Sequence, residues 1–270
     1  MGLAPPVFDA DTVKSVVSCR SSKYLPERDA LMVDQQTETK VASLLPPPCE
    51  MPNGLQWFES ELYVMDQATD DVCVIDESGS LIRRISTPTE NGSGISVGGG
   101  FLWTASNGNT TSREYRATDT HQGCILQLDL QTGEEVGRIP TPDGKGIHGI
   151  EWDFERNMLW VTATNPKNII LVDALGDKNV VHTISLELQR LHGLALEGDA
   201  IWCAHTTDNV IVLYDIETGA ERDRITMGPA DPYVHGLSKK DGVLWFADAN
   251  FGGLRHTGTR GVPAVGTLSG

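Results

Sequence analysis

Long apolar runs are missing from this chain. No stretch of about 18 consecutive apolar residues occurs, which excludes a membrane-spanning helix. Basic residues are also scarce: 21 Lys and Arg stand against 37 Asp and Glu, a formal charge of −16. That balance excludes a nucleic-acid surface, which needs clustered Lys and Arg. An acidic surface serves mainly solubility. The opening MGLAPPVFDADTVK has no basic region followed by an apolar core, so it does not read as a secretory signal. Cysteine is sparse and odd in number: Cys19, Cys49, Cys73, Cys124 and Cys203, with no CxxC pair. This argues against a disulfide framework or a zinc knuckle. Reduced thiols in a cytoplasmic protein are expected instead. The partner left by these exclusions is a small molecule, with neither nucleic acid nor membrane expected.

What is present is a repeat. The stretch Val234–Asn250 opens on His-Gly-Leu, turns at Lys239–Gly242, runs through the apolar Val243–Ala247 and ends at Asp248. This pattern predicts two antiparallel strands and a tight turn, with Asp248 returning close to His235. The layout recurs at Asn53-Gly-Leu, Ser93-Gly-Ile, His148-Gly-Ile and His192-Gly-Leu. Gly54, Gly94, Gly149, Gly193 and Gly236 are separated by 40, 55, 44 and 43 residues. Periods near that length, with four short strands each, mark a β-propeller. Trp is rare, yet four of the six fall at one second-strand register: Trp103, Trp160, Trp202 and Trp245. They are expected to pack between neighbouring sheets. Third strands end at Asp76, Asp129, Asp173 and Asp215, and two continue into Thr-Gly. Those Asp residues read as turn chemistry. Fourth strands are expected at Leu81–Ile85, Glu135–Ile139, Val180–Ile184 and Ala220–Ile225.

The last copy shows only two strands. Ala30–Thr37 and Lys40–Leu45 match the missing third and fourth. The pattern therefore predicts an all-β, five-bladed propeller of four-stranded antiparallel blades. N-terminal strands complete the C-terminal blade, which removes the open edge. Residues 1–28 read as an N-terminal extension, with a short helix at Asp9–Val17; residues 29–260 as one propeller domain; residues 261–270 as a tail. One loop is out of family: Ser106–Gly123 carries Arg113, Tyr115, Arg116 and His121. Long loops in compact domains are often lids or binding loops.

In a propeller blade the first strand lines the channel and starts on the face where the second strand ends. The residues before each Gly are Asn53, Ser93, His148, His192 and His235; those ending the second strands are Asp66, Ser106, Ala163, His205 and Asp248. Convergent polar groups in a concave place define a site. Imidazoles with a carboxylate suit a divalent metal: Mg, Mn, Ca and Zn are all open, and so is none. A further His suits proton abstraction. Tyr233 is a second acid/base candidate.

The repeated HG[IL]…LWF pattern resembles the virginiamycin B (streptogramin B) lyase family. That family opens a cyclic depsipeptide at an ester bond by elimination. It uses Mg²⁺ held by a His and a Glu, with a nearby His as base. The resemblance implies metal ligation by His192 and Asp248, with His148 a further ligand or catalytic group, and His235 as base. Asp248 replaces the family's Glu, and the family has seven blades where five are counted here. Pro52-Asn53-Gly54-Leu55 and Leu62-Tyr63-Val64-Met65-Asp66 resemble gluconolactonase-like propellers, whose Asn binds Ca²⁺ or Zn²⁺ in lactone hydrolysis. A small-molecule lyase is thus expected, with Asn53, Asp66, Ser93, His205, Arg113 and Tyr115 binding substrate. A metal-dependent hydrolase or lactonase and a non-catalytic ligand- or protein-binding propeller are the alternatives, and a metal-free His/Tyr acid–base site is a further one.

Overall fold

A computed structural model describes residues 39–45, 49–108, 111–141, 146–163, 167–249 and 262–269. Residues 37–270 belong to one compact unit. The described residues contain no helix and form five four-stranded antiparallel sheets. Blade 1 is β2 (Pro52–Phe58), β3 (Glu61–Asp66), β4 (Asp71–Ile75) and β5 (Leu81–Ile85). Blade 2 is β6 (Gly92–Gly98), β7 (Phe101–Ser106), β8 (Cys124–Asp129) and β9 (Glu135–Pro140). Blade 3 is β10 (Ile147–Asp153), β11 (Met158–Ala163), β12 (Asn168–Val172) and β13 (Val180–Ser185). Blade 4 is β14 (Leu191–Glu197), β15 (Ala200–His205), β16 (Val210–Asp215) and β17 (Glu221–Thr226). Blade 5 is β18 (Gly236–Lys240), β19 (Val243–Asp248), β20 (Ala264–Leu268) and the N-terminal β1 (Val41–Leu45).

Blade 5 closes the ring as the repeat predicts, but with a different third strand. The sequence pattern puts Ala30–Thr37 there, a segment outside the described residues; the structure uses Ala264–Leu268. The C-terminal stretch read as a tail is therefore a blade strand. Its partner β1 pairs it from Leu45↔Val265 to Val41↔Leu268. The segment Asp9–Val17 also lies outside the described residues.

Innermost strands of successive blades touch all the way round, from β2 to β6, β10, β14, β18 and back to β2. Glycine makes this possible. A Cβ on Gly149 would overlap the His192 carbonyl oxygen, and one on Gly94 would lie 2.6 Å from the His148 carbonyl oxygen. Gly236 meets the Asn53 carbonyl and the Gly54 Cα in the same way. Five strands this close to one axis leave no room for side chains at that register. This is why Gly marks every copy.

The remaining pattern follows from burial. The first three strands of each blade are mostly buried, while β5, β9, β13 and β17 are mostly exposed. Trp103 stacks on Trp152 of the next blade at 5.7 Å, and Trp57 meets Trp245 edge-on at 5.1 Å. Such aromatic pairs add about 0.5–1.5 kcal/mol beyond their buried area. The two-residue turn Asp241–Gly242 has φ of 51° and 80°, the paired positive values of a tight hairpin turn. Asp129 Oδ1 accepts the N–H of Gln131 and Thr132, and Asp215 Oδ1 those of Glu217 and Thr218. These Asp residues hold turns.

Candidate functional site

Four blades carry a register shift around the same Gly: between Pro52 and Leu55, Gly92 and Ile95, Ile147 and Ile150, and Leu191 and Leu194. A bulge re-aims the side chain it carries. In these four blades the bulge includes the residue before Gly. In blades 3, 4 and 5 that residue is His, and the three rings meet. His148 stacks on His192 with centroids 4.3 Å apart and planes 27° apart. His192 meets His235 edge-on at 4.9 Å.

His192 is the centre of this group. It is buried, and neither ring nitrogen has a hydrogen-bond partner among the described residues. A buried polar atom left unpaired costs about 1–3 kcal/mol. Burial first, then the neighbouring His148, His235 and Arg190 charges, hold its pKa well below the usual imidazole range. His148 is pushed down to about 4 by burial, with Arg190 and His235 adding to the effect. Both rings are therefore neutral at pH 7. Arg190 is exposed and sits two residues before His192 with φ of 47°. It puts a cation beside the imidazole pair, a feature the repeat does not reveal because the residue lies in a connector.

His235 is oriented by its surroundings. Its Nδ1 lies 2.7 Å from the Tyr233 carbonyl oxygen, which only accepts. Nδ1 therefore carries the hydrogen, and the basic lone pair sits on Nε2. Asp248 Oδ1 is 3.5 Å from the same Nδ1, and Asp248 Oδ2 accepts the Tyr233 N–H at 3.0 Å. Tyr233 thus acts here through its backbone, which links Asp248 to His235.

The other two blades fill the same position differently. Asn53 donates to Gln67 Oε1 at 2.9 Å, and Gln67 donates on to Asn91 at 2.7 Å. Ser93 donates to the Ile147 and His148 carbonyls and accepts from Asn107. Three residues further along the first strands a second polar layer crosses the axis. Gln56 donates to Glu151 at 3.3 Å, while its Oε1 accepts from Ser96. Glu151 is buried, and burial pushes its carboxyl up to about 8. It is a neutral acid at pH 7. The Gly-plus-two register (Gln56, Ser96, Glu151, Ala195, Ser238) is the sequence signal that marks this layer.

Several predicted contacts lie elsewhere. His205 is buried inside blade 4, with its Nε2 3.0 Å from the Tyr214 hydroxyl and its Nδ1 3.3 Å from the Gln189 carbonyl. It is a satisfied core histidine, because its register opposite Leu191 turns it into the blade. Arg113 pairs with Asp70 at 2.9 Å and Asp119 at 2.8 Å, and donates to the Thr89 carbonyl. Arg116 donates to the Thr87 and Thr69 carbonyls, and Glu90 accepts the N–H groups of Thr120 and His121. These contacts pin the long loop onto blades 1 and 2. Tyr115 is exposed and meets the His121 ring at 4.8 Å. Asp66 accepts the N–H groups of Met51 and Ala68 and faces Cys49 and Cys73 instead of the imidazoles.

The lyase resemblance implies a metal between His192 and Asp248. The residues do not fit that ion. Asp248 is engaged by the Tyr233 N–H and lies beside His235 Nδ1. The His148 and His192 rings stack face to face, so their nitrogens do not converge. Mg²⁺ also prefers oxygen donors to imidazole. Among the described residues, the group of three donor side chains with ligand atoms within 4.8 Å of one another is Cys49, Asp66 and Cys73.

The chain is thus a five-bladed β-propeller in which the imidazoles of His148, His192 and His235 form a row. Its structure is similar to that of glutaminyl cyclase from Myxococcus xanthus, at a TM-score of 0.62 and 10% identity over 85% of this chain and 94% of that one. It is also similar to virginiamycin B lyase from Staphylococcus aureus, at 0.48 and 16% over 83% and 68%, and to a streptogramin B lyase, at 0.48 and 21% over 79% and 67%. At such identities the likeness is one of fold. No family model and no curated protein matches the chain. Among the described residues no helix is long and apolar enough to cross a membrane.

Proposed function

We propose that the face bearing His148, His192 and His235 binds a small molecule and catalyses a proton-transfer reaction on it, with elimination the favoured chemistry. The observation that carries this reading is His192: a buried imidazole with no hydrogen-bond partner on either nitrogen among the described residues, lying against two other imidazoles. Polar groups in such positions call for a ligand. His235 is the general base. Its Nε2 takes a proton from the carbon next to a carbonyl, the carbon–oxygen bond beyond breaks, and its electrons leave with a carboxylate. Asp248 stabilises the imidazolium so formed. The neutral His192, held by the stacked His148 ring, donates a hydrogen bond to the developing enolate. Arg190 suits an anionic group at the mouth. No step requires a metal.

The test is a panel of lactones, cyclic depsipeptide esters and glutaminyl peptides, with product masses read directly. Elimination opens a cyclic ester with no change of mass and a new carbon–carbon double bond. Hydrolysis adds one water, and that outcome would replace the lyase reading with the hydrolase one. Turnover retained in His235→Asn would remove His235 from the chemistry. Binding without turnover across the panel, unaffected by any single His substitution, would leave a non-catalytic propeller.

A further inference from the structure

We propose that Cys49, Asp66 and Cys73 form a zinc site that fastens the connector behind the closing strand to blade 1. This site is separate from the imidazole row and does not rest on the function proposed for it.

The fold assembles the three donors from distant parts of the chain. Cys73 lies on β4 and pairs across to Val64 of β3, while Asp66 ends β3. Cys49 lies in the connector between β1, which closes the ring, and β2, which begins blade 1. All three side chains are buried. Bond lengths of about 2.3 Å to sulfur and about 2.0 Å to oxygen put tetrahedral donors roughly 3.5 Å apart. The three ligand atoms already lie within 4.8 Å of one another, so a small contraction completes the set.

The surroundings suit the ion. Asp66 Oδ1 is held by the Met51 N–H at 3.0 Å and the Ala68 N–H at 3.2 Å, and Oδ2 faces the Glu50 N–H at 3.4 Å. Such outer hydrogen bonds orient a ligating carboxylate. The Arg84 guanidinium is 3.1 Å from Cys73 Sγ and 3.8 Å from Asp66 Oδ2. Two thiolates and a carboxylate are then balanced by one divalent ion and one guanidinium. Leu55, Val64, Ala247 and Val265 pack in the same cluster as both cysteines, drawing the walls from blades 1 and 5. Two thiolates select zinc over magnesium or calcium. Three protein donors leave the fourth position to water.

The experiment uses the full, untagged chain, reduced and stripped of metal, titrated with Co²⁺ as a spectroscopic stand-in and then with Zn²⁺. The expected result is one Co²⁺ per chain, with a thiolate charge-transfer band in the near ultraviolet and visible bands of tetrahedral intensity. Zn²⁺ should bleach both and raise the melting temperature. Cys49→Ser and Cys73→Ser should each weaken binding at least tenfold and reduce the charge-transfer band. Asp66→Asn should weaken binding and keep the band. Cys203→Ser and His192→Leu should change neither. The wild-type band reports the thiolates without any variant, so a variant that fails to fold does not obscure the result. Absence of the band, metal binding indifferent to both cysteine substitutions, or a Cys49–Cys73 disulfide in the protein as purified would overturn the proposal.

Discussion

The residue before the axial glycine is filled in two ways around the ring. In blades 1 and 2 it is Asn53 or Ser93, and each side chain is tied to neighbours: Asn53 to Gln67, and Ser93 to two backbone carbonyls and Asn107. In blades 3 to 5 it is His, and the rings lie against one another, with His192 hydrogen-bonded to none of the described residues. One sector satisfies its own polar groups. The other accepts the cost of an orphaned imidazole, which stability alone does not explain. Blades 1 to 4 share the same bulge at this Gly, so between blades 1 and 2 on one side and 3 and 4 on the other the difference lies in the side chains and marks where a ligand belongs.

The comparison breaks most sharply at His235. His235→Asn should lower turnover by about 10²–10⁴-fold, the usual reach of a general base, while Asn53→Ala should change it only a few-fold. Equal losses in kcat would erase the distinction between sectors. Arg113→Ala should instead cost about 3–5 kcal/mol of stability, because it strands buried Asp70 without its partner. Urea denaturation reads the loss, and kcat should stay as it was; a raised KM with normal stability would return Arg113 to the substrate.

Acid and alkali should separate the groups further. His148 is neutral in the fold down to about 4, whereas the unfolded chain takes up that proton near 6.5. The unfolded state therefore binds more protons in that window, and stability falls as pH drops from 6.5 to 4. Glu151 has the opposite sign. It keeps its proton in the fold up to about 8 and loses it near 4.5 when unfolded, so its contribution fades as pH rises across that range. Glu151→Gln should flatten the alkaline limb of a melting-temperature profile, by a few kcal/mol at most. An unchanged limb would mean that the axial layer is wet. The smallest effect is a reversal of sign. His192→Leu should be neutral or stabilising by about 1 kcal/mol, and Asn53→Leu destabilising by about 1–3 kcal/mol, since only the second strands a bonded partner. Denaturation midpoints moving in the same direction would contradict the two-sector picture.

Much of the ring is readable from the chain because the axis imposes it. Only Gly fits where innermost strands meet, so Gly54 through Gly236 count the blades. The apolar second strands and the Asp turns follow from burial and turn chemistry, which act locally. Ala264–Leu268 was hidden for the opposite reason. It is short, stands apart from β19 and lacks the terminal Asp, so only its pairing with β1 identifies it. In the same way, His148, His192 and His235 are visible by register. His205 shares the partner register yet turns into its blade, toward Tyr214. Arg113 looked like a loop-borne contact because its partners Asp70 and Asp119 come together only in the fold. The spacing of Cys49, Asp66 and Cys73 matches no local metal motif, because ring closure and the β3–β4 hairpin bring them together.

The most direct test of the imidazole row is a ¹⁵N titration of the histidine rings by NMR. The expected spectrum has the neutral form of His235 protonated at Nδ1, with His148 neutral until about pH 4 and His192 neutral to well below the usual imidazole range. Addition of a bound substrate analogue should shift the His192 nitrogens most. A His192 that titrates near 6.5, or a His235 protonated at Nε2 in its neutral form, would mean a solvated row of ordinary histidines and would contradict the account.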